Sequence, residues 1–82
     1  MKTQAEIFAM LQQIMSEMFE LAPEDVVPEA HLNKDLDIDS IDAVDLMVRL
    51  REITGKRINP EDFKSARTIQ DVVDTVQRIS EQ

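Results

Sequence analysis

Between Ala5 and about Glu20 the apolar residues Ile7, Phe8, Leu11, Ile14, Met15, Met18 and Phe19 recur at i, i+1, i+4, i+7, i+8, i+11 and i+12. That spacing predicts an amphipathic helix with a broad buried stripe. Thr3 is placed to cap it, with Glu6 three residues on completing a capping box. Its methionines suit a soft binding face or plain helix packing, and packing is the simpler reading. From Leu21 to Ile38 the periodicity stops. Pro23 and Pro28 bracket this stretch, and Val26, Val27, Leu32, Leu36 and Ile38 stand singly among acidic and polar residues. A connection this long in a small domain is held by its own side chains, so these five are expected to plug gaps between helices.

A second helix is predicted from Ser40 or Ile41 to about Thr54, stopped by Gly55 in a left-handed conformation. Asn59-Pro60 then reads as N-cap and N1 of a short helix through about Lys64. Thr68 caps a last helix with Asp71 at N3, and there Ile69, Val72, Val73, Val76 and Ile79 form one apolar face. Its β-branched residues are weak helix formers, so tertiary packing must hold it. The sum is an all-α fold: one bundle of three longer helices and one short one, with a long loop between the first and second, forming a single domain over residues 1–82.

The second helix has two apolar faces. On a wheel of 100° per residue from Ile41, the residues Ala43, Leu46, Met47, Leu50 and Ile53 fall between about 120° and 240° and face the core. Ile41, Val44 and Val48 fall on the other side, bordered by Asp45 and Glu52 on one flank and Arg51 on the other. A bundle helix needs one buried stripe. The second set reads as a docking strip for a partner with an apolar groove rimmed by Lys and Arg. With Asp42, Arg49 and the flanking charges included, the predicted docking residues are Ile41, Asp42, Val44, Asp45, Val48, Arg49, Arg51 and Glu52. Arg49 is also spaced to pair with Asp45.

Charge narrows the partners. Seventeen acidic against nine basic residues give a net charge of −8, a field that repels nucleic acid and attracts basic protein surfaces. Hydrophobic content of 43% supports a core and argues against a disordered acidic tail. The absence of cysteine removes disulfides, thiolate metal sites and thiol nucleophiles. No signal peptide or membrane-spanning run is evident, which leads to the expectation of a cytoplasmic monomer.

The chemistry-bearing stretch is Asp35-Leu36-Asp37-Ile38-Asp39-Ser40-Ile41-Asp42, where an acidic loop runs into the second helix. A first helical turn offers unpaired N–H groups and a positive dipole end, a setting that welcomes a phosphate ester on Ser40. Asp39 and Asp42 would repel a phosphodiester at close range and are better explained as capping the helix and attracting a basic modifying enzyme, although a serine at a helix start, taken by itself, is usually an N-cap. Asp35-x-Asp37-x-Asp39 opens like a calcium-binding EF-hand loop, but its sixth position would be Ser40 in place of glycine and its twelfth Leu46 in place of glutamate. No metal site is predicted beyond loose divalent-cation association with the acidic cluster. A hydrolase lacks its nucleophile elbow, and the one histidine, His31, sits in a loop. A phosphorylation-controlled interaction helix stays open.

The same string resembles the phosphopantetheine attachment site of acyl carrier proteins, Asp-Leu-Gly-x-Asp-Ser-Leu-x, and the resemblance in helix order extends over nearly the whole chain. It implies an acyl-carrier-like four-helix bundle and a 4′-phosphopantetheine arm, derived from coenzyme A, on Ser40, with Asp39 as flanking motif residue. It further implies a phosphopantetheinyl transferase that installs the arm, and acyl-transfer, ketosynthase, reductase and dehydratase partners that read its thioester cargo. Such carriers catalyse nothing. An acyl chain folding back between the helices would meet Ile58, Leu46, Ala43 and Val72. Two departures stand out. The motif glycine is Asp37, a residue that tolerates a left-handed backbone, and Arg49, Arg51, Lys56 and Arg57 occupy a region usually acidic in housekeeping fatty-acid carriers. These bases point to a specialised fatty-acyl, polyketide or aryl-polyene pathway. A D-alanyl or other aminoacyl carrier, or a non-covalent acidic interaction module, remain the alternatives.

Overall fold

A computed structural model describes residues 3–63 and 65–80. Three α-helices carry the fold: α1 (Gln4–Phe19), α2 (Ser40–Thr54) and α3 (Ile69–Ser80). Thr3 caps α1, its hydroxyl accepting from the Glu6 N–H at 3.2 Å and donating to the Glu6 carboxylate at 3.3 Å. The Thr3 half of the expected capping box is therefore present, while the Glu6 carboxylate takes the Thr3 hydroxyl in place of the Thr3 N–H. Glu20 ends the helix at φ 57°, with its N–H bonded to the Ser16 carbonyl.

The core is built from matching stripes. Ile7, Leu11, Ile14 and Met15 of α1 meet Leu46, Met47 and Leu50 of α2, together with Ile69, Val72, Val73, Val76 and Ile79 of α3. The whole predicted apolar face of α3 is therefore buried, and α1 packs mainly against it. Met10 and Met18 lie half-buried against this core, so the methionines of α1 serve packing. Ile53 departs from the wheel and is 39% exposed, because it lies in the last turn of α2 at the edge of the stripe.

Residues 20–39 link α1 to α2, and side chains hold them in place. Gln12 donates to the Pro23 and Val26 carbonyls, and the Ser16 hydroxyl to that of Leu21. A 3-10 turn forms at Pro23–Asp25. Val26, Leu36 and Ile38 are buried and Leu32 is half-buried, as expected of plugs, but Val27 points outward at 38% exposure. Backbone bonds from Leu32 to Arg67, Ile69 to Ala30 and Gln70 to Pro28 tie the link to the start of α3, around an isolated bridge between His31 and Thr68.

Gly55 ends α2 at φ 68° as predicted, its N–H bonded to the Arg51 carbonyl. The predicted short helix is a 3-10 turn, Pro60–Phe63. Asp62 fixes it by accepting from the Asn59 N–H at 3.0 Å while its own N–H reaches the Asn59 carbonyl. A segment this brief favours i to i+3 bonding over an α-helical ladder. The expected end at Lys64 lies outside the described residues. Thr68 and Asp71 cap α3 reciprocally at 3.2 Å each way.

Candidate functional site

The start of α2 is set by Asp39. Its Oδ1 accepts from the N–H groups of Ile41 (3.0 Å) and Asp42 (2.9 Å), and the Asp42 carboxylate returns to the Asp39 N–H at 3.4 Å. The Ala43 N–H reaches the Asp39 carbonyl. Ser40 is therefore N1, not the cap. The capping expected of Asp39 and Asp42 is what the helix start shows, and the aspartate leaves the serine no capping work to do. The Ser40 side chain is exposed, and among the described residues its hydroxyl has no hydrogen-bond partner. The amides expected to welcome a phosphate are largely engaged: those of residues 41 and 42 by Asp39, leaving that of Ser40 itself.

The approach to Ser40 is a tight turn over residues 31–38. Asp37 has φ 56°, the left-handed conformation that its place in the motif demands and that aspartate tolerates. His31, which carries no catalytic arrangement, holds the turn: its Nδ1 accepts from the Asn33 and Lys34 N–H groups at 3.2 Å, and its own N–H donates to the Asp35 carboxylate at 2.7 Å. Its capping role was missed from sequence. The signal was there, in an Asn-Lys-Asp run just after the histidine that offers a turn its local donors and acceptor. Leu36 and Ile38 go inward, so Asp35, Asp37 and Asp39 are exposed between them. Two of these carboxylates are occupied by separate backbone amides, and among the described residues no group of three acidic or histidine side chains could hold a metal.

Beyond Ser40, α2 presents a row of exposed aliphatics: Ile41 at 72%, Val44 at 50% and Val48 at 47%. Asp45, Arg51 and Glu52 are exposed beside them and Asp42 is half-buried. Arg49 does not pair with Asp45. It reaches Glu52 at 3.7 Å and, across the helix interface, Glu17 of α1 at 3.9 Å. The alternative carboxylate on α1 could not be seen from spacing within one helix.

Between α2, the 3-10 turn and α3 lies a cavity of about 70 Å³ lined by Leu32, Ala43, Leu46, Met47, Leu50, Phe63, Ala66 and Val72. Three of the four expected lining residues are there. Ile58 is buried in the core and lines no part of it. The opening is roughly half the volume of the ~150 Å³ apolar cavity that admits benzene.

A helical bundle that offers an unpartnered serine hydroxyl at the first turn of an exposed helix, above a small apolar cavity, has the form of a carrier domain for a covalent arm. Comparison with known proteins agrees: residues 10–76 match the model for the phosphopantetheine attachment site family. The chain is 52% identical over 77 residues to acyl carrier protein 2 of Ralstonia nicotianae, covering 94% of this chain and 95% of that one. It is 39% identical to the meromycolate extension acyl carrier protein of Mycolicibacterium smegmatis, over 98% of this chain and 81% of that one. It is 38% identical to the acyl carrier protein of Thermosynechococcus vestitus, over 89% and 90%. The chain belongs to the acyl carrier protein family and carries a covalent 4′-phosphopantetheine group. The helix start fits such a group, since a hydroxyl already committed to capping would have to be released before it could be esterified.

Proposed function

We propose that Ser40 bears the 4′-phosphopantetheine arm as a phosphodiester, that residues 1–82 form one carrier domain, and that it presents acyl groups to enzymes docking on α2. The observation that carries this is the exposed Ser40 hydroxyl, left free because Asp39 takes the N-cap. Bound there, the group supplies a terminal thiol that can hold an acyl chain as a thioester, in a chain that has no cysteine of its own.

The protein's own residues do the remaining work. Asp39 and Asp42 fix the helix start, so the attachment atom has one position relative to the docking face. Ile41, Val44 and Val48 offer apolar contact, while Asp42, Asp45 and Glu52 attract the basic rims of partners, beginning with a phosphopantetheinyl transferase. Arg49 and Arg51 set the charge pattern of the rest of the face. The cavity behind Ala43 and Leu46 accepts the first carbons of a returning chain. The domain catalyses nothing and acts as a cytoplasmic monomer, raising the local concentration of its cargo at each partner. The bases on and after α2 favour a specialised fatty-acyl, polyketide or aryl-polyene pathway.

Intact mass after incubation with coenzyme A and a broad-specificity phosphopantetheinyl transferase tests the reading. One phosphopantetheine unit is expected on the wild type and none on Ser40→Ala. No gain in either, with a known carrier modified in parallel, would leave the non-covalent interaction module as the better account.

A further inference from the structure

The outward face of α2 carries carboxylates at its Ser40 end and an excess of bases at the other, where Glu52 is the one acid and is paired with Arg49. The aliphatic row Ile41, Val44 and Val48 begins beside the carboxylates of Asp39, Asp42 and Asp45. At its other end lies a surface concavity of about 440 Å³ lined by Val48, Arg51, Glu52, Gly55, Lys56 and Arg57. Arg49 is engaged by Glu17 and Glu52. Arg51 and Arg57 are exposed, and among the described residues neither has a carboxylate within ion-pair distance. A cation in the last turn favours the helix dipole, which accounts for Arg51. Arg57 lies beyond the helix, where that account does not reach. Among the described residues, no carboxylate is set against these two guanidinium groups.

We infer that this concavity receives carboxylate side chains of a partner protein. The partner's docking face then presents an apolar ridge with bases at the Ser40 end and acids at the Arg51 end, about 16 Å further along the helix. Opposite charges steer such a partner into register, and a uniformly basic face meets repulsion at Arg51 and Arg57, so the patch selects among partners as well as attracting one. The inference deepens the carrier reading and rests on it for what the docked partner does. The surface itself requires no arm on Ser40.

Two helical peptides serve as probes, each with a leucine stripe. One carries lysines at one end and glutamates at the other, and the second carries lysines at both ends. Dissociation constants come from amide shifts of the 15N-labelled protein at low ionic strength. Wild type is compared with Arg51→Glu/Arg57→Glu and with Lys34→Glu/Arg78→Glu, which makes the same change in net charge outside this surface. The mixed peptide is expected to shift amides of residues 51–57 in the wild type. Its affinity relative to the all-lysine peptide should fall about tenfold in the Arg51/Arg57 variant, be unchanged in the control variant, and lose its contrast at high salt. Arg57→Ala, outside the helix, should move the ratio the same way by less. An unchanged ratio in all proteins, or no shift along α2 with either peptide, overturns the inference. So do equal shifts at 51–57 with inorganic phosphate, which assign the patch to a small anion, or with protein concentration alone, which assign it to a second copy. Modification of the variants at Ser40 is read separately by mass, so loss of the carrier reading and loss of this one are distinguishable.

Discussion

Asp39 and Asp42 hold each other's backbone. The Asp39 carboxylate accepts from the Asp42 N–H at 2.9 Å, and the Asp42 carboxylate accepts from the Asp39 N–H at 3.4 Å. Ser40 sits between them with its hydroxyl unengaged. Two negative charges beside a phosphate ester are unfavourable by Coulomb's law, yet here both are committed to positive helix-end amides, which offsets part of that repulsion.

Asp39→Ala should therefore cost about 1 kcal/mol of stability and lower Tm by roughly 4–8 °C, while Asp39→Ser should recover most of the loss. Thermal unfolding of the three proteins checks this.

Ser40→Ala should leave unfolding within about 0.5 kcal/mol of wild type, because no hydrogen bond is lost. A larger loss in a urea titration would mean that the hydroxyl holds the helix start after all.

Two substitutions on the same helix should differ sharply. Leu50, fully buried, is expected to cost about 2–5 kcal/mol on truncation to alanine. Ile41→Ala, at 72% exposure, should stay within about 0.5 kcal/mol and weaken docking instead. Urea unfolding reads the first effect and binding of a phosphopantetheinyl transferase the second.

The pKa of Asp71 is held below the ordinary carboxylate value, chiefly by the backbone N–H groups of Arg67 and Thr68 that it accepts from. A carboxylate with a lowered folded pKa stabilises at pH above its unfolded value of about 3.9, and that contribution fades as pH falls through the folded value. Wild type should thus exceed Asp71→Asn in stability at neutral pH, and the two should converge below about pH 4. A constant difference across the acid range would show that the charge plays no part.

Seventeen carboxylates on this small surface repel one another, and Arg49 is ion-paired with two of them, Glu17 and Glu52. Added salt or millimolar magnesium should raise Tm, and indifference to both would count against self-repulsion in the folded state.

The helices, their caps at Thr3 and Thr68, the stop at Gly55 and the buried face of α3 were legible in the sequence, because each depends on periodicity or on hydrogen bonds made within a few residues. So was the outward row of Ile41, Val44 and Val48, since a wheel needs only one helix. The left-handed backbone at Asp37 followed from the motif's glycine. Other features needed the tertiary structure. Arg49 has suitable carboxylates on two helices, and only the packing of α1 against α2 brings Glu17 within reach. Val27 and Ile53 have the same apolar character as their buried neighbours, and their exposure depends on where the link and the end of α2 lie against the core. The capping by Asp39 and Asp42 was likewise expected from sequence, but the turn over residues 31–38 that delivers the chain to α2 is held by His31 and by backbone bonds to the start of α3, far off in sequence. Local chemistry offered Ser40 two roles, and the fold left its hydroxyl free.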